Sequence, residues 1–135
     1  MAKVIRINHV AMAVPDITGA LDFWQGALGL SLHHVEEVPE QKSTVAFLPV
    51  GESEIELVRP DVDDSGLAKF LKDKGPGVHH ICLEVDNLEE MMAELKSKGI
   101  RLINDAPQVL PGRKMAFIHP KSAGGVLVEL YELIP

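Results

Sequence analysis

Asn8-His9-Val10-Ala11-Met12-Ala13-Val14 and His79-His80-Ile81-Cys82-Leu83-Glu84-Val85 decide the reading of this chain, because each opens a stretch that looks like a copy of the other. In both, alternate residues go to opposite faces of a strand. His9, Ala11 and Ala13 share one face, and His80, Cys82 and Glu84 share the corresponding one. After each strand comes a helix ending at glycine, then two more strands, then a last strand with a central glutamate: Ile55-Glu56-Leu57 and Val128-Glu129-Leu130. The first copy runs over about residues 5–60 and the second over about 77–132, joined by a linker at 61–76 that holds a short helix at Leu67 to Lys72.

The spacing supports a duplication. His9 to His80 is 71 positions (80 − 9), and Val14 to Val85 repeats it (85 − 14). Gly29 to Gly99 and Phe47 to Phe117 give 70, and Glu56 to Glu129 gives 73. The small shifts fall where turns absorb them. Within each copy the helices are signalled at their ends. Asp16 caps one that carries Ile17, Leu21, Trp24 and Leu28 and stops at Gly29; Asn87, with Glu90 three residues on, makes a capping box for another that stops at Gly99. The remaining strands are expected over Leu30 to Glu37, Ser43 to Pro49, Glu54 to Arg59, Ile100 to Ile103, Lys114 to His119 and Val126 to Leu133.

Bulk properties set the limits. A chain of 135 residues is one ordinary domain, and 46% apolar with 24% charged residues describes a soluble globular protein. No run is long enough to span a membrane and the start lacks a signal-peptide core, so no membrane partner is expected. The single cysteine, Cys82, permits no internal disulfide and suits the cytoplasm. A net charge of −7 argues against nucleic acid and requires any anion-binding patch to be local.

Glutamates between apolar neighbours are costly to bury alone. A histidine in a strand is by itself usually a satisfied or half-exposed residue, and a strand glutamate usually faces solvent. Equivalent positions in two copies change that weighing. If the copies fold alike and pack about a pseudo-twofold axis, His9, Glu56, His80 and Glu129 converge on one point, and two imidazoles with two carboxylates suit Zn, Co, Ni, Mn or Fe(II). Glu54 and Glu84 read as rim or solvent residues, Cys82 as a small filler, and His33-His34 as surface strand; His79 faces away from His80, and His119 is at the rim.

With these residues the chain resembles the vicinal oxygen chelate superfamily, which includes glyoxalase I, extradiol dioxygenases and fosfomycin resistance proteins. Pro39-Glu40-Gln41, Val78-His79-His80-Ile81 and His119-Pro120-Lys121-Ser122 before Gly125-Val126-Leu127-Val128-Glu129-Leu130 are most similar to the methylmalonyl-CoA epimerase family within it. The similarity runs from Ile5 to Glu132. It implies an α+β fold: one domain over 1–135 of two tandem βαβββ modules forming a cup-shaped, eight-stranded mixed sheet around a metal. It also implies ligands His9, Glu56, His80 and Glu129 for one divalent ion per chain, Co2+ first, with Zn2+, Ni2+, Mn2+ or Mg2+ as alternatives. Some epimerases carry glutamine where Glu56 stands.

The implied chemistry is epimerisation of an acyl-CoA, the (R) and (S) forms of methylmalonyl-CoA, by removal of the α-proton through a metal-stabilised enolate. Inversion at carbon needs a base on each face. The resemblance gives Glu129 as one; some members place a second glutamate where Val45 stands here, which leaves Glu40 as the nearest carboxylate. Lys121, with Arg113 and Lys114, is the candidate for CoA phosphates or the substrate carboxylate. A cytoplasmic homodimer is expected by analogy. The alternatives are a glyoxalase I-like lactoylglutathione lyase, which uses the same ligands, an extradiol dioxygenase, and a non-catalytic small-molecule binding protein of the same fold.

Overall fold

The computed structural model describes all residues from Met1 to Pro135. Its strands are β1 (Val4–Ala13), β2 (His34–Val38), β3 (Ser43–Val50), β4 (Ser53–Pro60), β5 (Gly77–Val85), β6 (Gln108–Leu110), β7 (Arg113–Ile118) and β8 (Val128–Leu133). The helices are α1 (Ile17–Leu21), α2 (Gly66–Lys74) and α3 (Leu88–Ser97). The eight strands run in the order β2-β3-β4-β1-β5-β8-β7-β6, and both parallel and antiparallel pairs occur, so the fold is α+β with a mixed sheet as expected. No helix is long and apolar enough to cross a membrane.

The chain divides into two compact units, cut inside strands rather than at the linker. One is His9–His79; the other joins Met1–Asn8 to His80–Pro135. The cuts fall immediately before His9 and His80, the two residues whose spacing first marked the repeat.

In the His9–His79 unit, β1 runs parallel to β4, while β2, β3 and β4 are antiparallel neighbours. One face of this sheet packs Ala11, Ala13, Val45 and Val58 beneath Leu67, Phe70 and Leu71 of α2. The other packs Ala46, Leu48 and Leu57 against Ile17, Leu21 and Trp24. The linker helix is therefore core-forming. Asp16 caps α1 as expected, its carboxylate accepting from the Gly19 amide at 2.8 Å. The expected helix then departs from plan: Asp22–Ala27 winds as a π-helix, in which the Leu28 amide reaches back to the Phe23 carbonyl at 2.8 Å. Gly29, at φ +86°, ends it in the left-handed region where a side chain is strained. Leu30 and Leu32 pack with α1 instead of starting a strand, so β2 begins only at His34.

In the other unit, β5 runs parallel to β8, and β8, β7 and β6 are antiparallel neighbours. Its core is Val85, Leu88, Met92, Ala116 and Leu130. The expected strand at Ile100–Ile103 does not form. Leu102 makes one bridge to Ile118, and the strand beside β7 is instead Gln108–Leu110, turned through Pro111-Gly112. The capping box is half made. Asn87 accepts from the Glu90 amide at 3.0 Å, but Glu90 does not return the bond; the neighbouring Leu88 amide is taken by Glu132 of β8 at 2.7 Å. Glu84, expected at the solvent, is buried and has Arg6 as its nearest cation at 3.9 Å.

Each acceptor at the start of α3 satisfies an amide that has no partner within the helix. Asn87→Ala and Glu132→Ala are each expected to lower stability by about 1 kcal/mol in chemical denaturation. Unchanged midpoints for both would contradict this account of how α3 is started.

Candidate metal and acid–base site

The register of the two parallel strand pairs places the site residues. Ala11 is the partner of Glu56, and Cys82 is the partner of Glu129. In each case a histidine stands two residues earlier on the same face. Ala11 and Cys82 are fully buried and small, so the imidazole and the carboxylate meet over them. The result is the same in both units: His9 Nδ1 lies 3.0 Å from Glu56 Oε2, and His80 Nε2 lies 3.0 Å from Glu129 Oε1. His9 is 1% exposed and Glu129 is 2% exposed.

A third element repeats. On the next strand Phe47 stands directly across from Glu56, and Phe117 directly across from Glu129. The Phe117 ring meets the His80 ring edge to face at 5.9 Å. Each glutamate thus has a phenylalanine directly across the ladder from it.

These are residues that suit a divalent cation. Two donors bound to one cation at 2.0–2.2 Å in neighbouring positions stand about 3 Å apart, which is the spacing of each imidazole–carboxylate pair. Buried carboxylates also need a positive partner to remain ionised cheaply. Imidazole and carboxylate together favour a borderline or hard divalent ion.

The other expected residues lie as follows. Glu40 is exposed on a single 3-10 turn, Pro39–Gln41, closed by Lys42 at φ +52°, the one non-glycine residue in the left-handed region. Val45 is buried in the core beneath α2, so nothing there can move a proton. Lys121 is exposed on the 3-10 turn Pro120–Ser122, where its amide donates to His119 Nδ1 at 3.0 Å. The Arg101 amide donates to Ser122 Oγ at 2.9 Å. Arg101, His119 and Lys121 therefore make a local basic cluster on a chain of net charge −7. Lys114 is paired with Glu89 at 2.9 Å and Glu132 at 4.0 Å. The guanidinium of Arg113 lies over the Tyr131 ring at 5.5 Å. His79 meets Phe70 edge to face at 4.9 Å.

One interaction was not foreseen in the sequence. His34 of β2 stacks on Phe47, ring centroids 4.4 Å apart and planes 16° apart. The signal was present, since His34 and Phe47 are cross-strand partners, but register is not visible from one strand alone.

Comparison with known proteins fits this geometry. The Glyoxalase/Bleomycin resistance protein/Dioxygenase superfamily matches residues 8–117, and the chain belongs to it. Mouse mitochondrial methylmalonyl-CoA epimerase is 42% identical over 130 residues, covering 95% of this chain and 73% of that one. The crystal structure of methylmalonyl-CoA epimerase from Mycobacterium tuberculosis superposes with a TM-score of 0.89 at 36% identity, covering 98% of this chain and 90% of that one. A methylmalonyl-CoA epimerase in complex with methylmalonyl-CoA and NH4+ superposes with a TM-score of 0.89 at 31% identity, covering 97% of this chain and 96% of that one.

The His119 environment gives a direct check on the basic cluster. Partial burial, then the charges of Arg101 and Lys121, hold its pKa below the ordinary 6.5. An NMR titration is expected to show a midpoint under that value, moving upward in Lys121→Gln because one of the two cations is gone. A midpoint above 6.5, or no response to Lys121→Gln, would show that these charges do not act together.

Proposed function

We infer that this protein is an isomerase that interconverts the (R) and (S) forms of methylmalonyl-CoA. The observation that carries the reading is extended likeness to enzymes of that name over nearly the whole chain, with an imidazole–carboxylate pair intact in each unit. We propose that His9, Glu56, His80 and Glu129 hold one divalent cation, Co2+ in the first instance. Such an ion supplies fixed positive charge to an oxygen that becomes negative as the α-proton leaves.

The chain's own residues account for the rest. Glu129 is the proposed base on one face of the substrate carbon. It is buried beside Phe117 and His80, so its carboxylate exchanges a proton without competition from bulk water. Glu56 keeps a carboxylate where some relatives have glutamine, which adds negative charge at the site and lowers its pull on substrate oxygen. Lys121 and Arg101 offer charge to the phosphates or the free carboxylate of an acyl-CoA, which an otherwise acidic chain would repel. Glu40 remains the carboxylate nearest the Pro39–Gln41 turn, but no strand face fixes its direction, so it is the weaker candidate for the second base. We further propose that the protein works as a homodimer and, from its single cysteine, in the cytoplasm.

The test is to incubate metal-supplied protein with a single epimer of methylmalonyl-CoA in heavy water. Both solvent deuterium at the α-carbon and appearance of the other epimer are expected. Glu129→Gln should lower interconversion by about 10²-fold or more, the usual contribution of a positioned base. Absence of exchange by the wild-type protein, together with turnover of the methylglyoxal–glutathione hemithioacetal, would replace this reading with the lyase.

A further inference from the structure

Two neighbouring cations on β7 have different surroundings, and strand alternation is the reason. Residues 113, 115 and 117 face one way, and residues 114, 116 and 118 face the other. Ala116 and Ile118 pack with α3, so Lys114 emerges on the helix side, where Glu89 and Glu132 answer its charge. Arg113 emerges on the side that holds Phe117 and, directly across the ladder from Phe117, Glu129. All of these residues belong to the unit that contains His80–Pro135.

The Arg113 guanidinium is paired with no carboxylate. Its Nη1 donates to the Pro111 carbonyl at a long 3.4 Å, and its buried Nε has no acceptor. Its Cζ atom lies 5.5 Å from the centre of the Tyr131 ring, which supports the planar group by cation–π attraction. Register fixes the direction of that lean. Arg113 pairs with Leu133 and Met115 pairs with Tyr131, so the guanidinium reaches from its own row onto the ring of the next, the one adjoining Phe117 and Glu129. Successive rows on one face stand about 7 Å apart. Glu84 shares the Tyr131 row, but it is buried and has Arg6 as its nearest cation at 3.9 Å. An enclosed N–H without an acceptor costs free energy that a ligand able to draw the fork onto itself would recover. The matching ligand is a planar oxyanion, since Nε and Nη2 form one edge with the spacing of two carboxylate oxygens.

Building on the epimerase reading, we propose that Arg113 holds the free carboxylate of the acyl group through Nε and Nη2, and so selects a dicarboxylic acyl-CoA over a simple one. That carboxylate is bonded to the same carbon that gives up its proton. A proton-transfer group and a carboxylate receptor must therefore stand within reach of one small acyl group. Glu129 and the Tyr131 ring are one row apart, a separation that a hydrogen bond of about 3 Å at each end and the acyl carbon between them fill. With the carboxylate held at Arg113, the α-carbon has a fixed orientation toward Glu129. The work of binding anions is then divided: Arg113 takes the carboxylate, and Arg101 and Lys121 are left for the phosphates. The hemithioacetal substrate of the lyase reaction bears no carboxylate beside its reacting carbon and would gain nothing from Arg113.

The experiment uses wild type, Arg113→Met and Arg113→Lys, each as full-length, metal-supplied protein. The ligands are methylmalonyl-CoA and propionyl-CoA, which differ only by the carboxylate. Dissociation constants for both are measured by calorimetric titration, and interconversion and deuterium uptake are followed with methylmalonyl-CoA in heavy water. Wild type is expected to bind methylmalonyl-CoA more tightly than propionyl-CoA. In Arg113→Met that preference should shrink about 10-fold or more, while affinity for propionyl-CoA stays within about twofold. KM for methylmalonyl-CoA should rise with kcat changed much less, because the contact is made in the ground state and the transition state alike. Arg113→Lys should fall between the two, keeping the charge and losing the fork. A merely structural role would weaken both ligands together. An unchanged preference in Arg113→Met, or equal loss of affinity for both ligands, would overturn the assignment. Wild-type protein that exchanges neither epimer would overturn the epimerase reading and this inference with it, a result distinguishable from the others because it requires no variant.

Discussion

A buried carboxylate must have a positive or hydrogen-bonding partner, and that requirement organises both units of this chain. Glu129 is almost wholly enclosed and Glu56 nearly so. Neither could sit mid-strand among leucines and valines without a partner, because desolvation of a lone carboxylate costs several kcal/mol. The partner is supplied by strand geometry. A parallel neighbour places a small residue across from the glutamate, and a histidine two residues earlier reaches over it. Ala11 and Cys82 are therefore as much part of the site as the groups that bind. A larger side chain at either position would stand between the imidazole and the carboxylate.

Local patterning showed a good deal of this. The spacing of His9 and His80, of Phe47 and Phe117, and of Glu56 and Glu129 was readable because each lies inside a strand whose alternation is strong. Those same residues are the ones the ladders bring into line. What stayed hidden depended on tertiary partners. Ile100–Ile103 alternates like a strand, yet Leu102 reaches β7 at only one bridge. Leu30 and Leu32 look like strand residues but pack under α1. The Asn87–Glu90 spacing fits a capping box, whereas the second side-chain acceptor at this helix start is Glu132, 44 residues beyond Leu88, whose amide it takes. Glu84 sits in a strand where solvent was expected, and only the folded chain brings Arg6 near it. Register, which decides that His34 shares a row with Glu56, belongs to two strands at once.

The differences between the copies bear on function as much as their likeness. His9 offers Nδ1 to its glutamate and His80 offers Nε2. Phe117 is met by His80, the histidine of the pair, whereas Phe47 is met by His34 from the strand beyond. The basic cluster at Arg101, His119 and Lys121 adds a further asymmetry.

Whether the two imidazole–carboxylate pairs serve a single ion is best settled by counting. Cobalt bound per chain, measured after equilibration and removal of excess metal, should be one equivalent for the wild-type protein. It should fall to nearly none in both His9→Ala and His80→Ala, because each removes a ligand from the same ion. Two equivalents in the wild type, or undiminished binding in either variant, would mean that the pairs are separate sites and that the account is wrong.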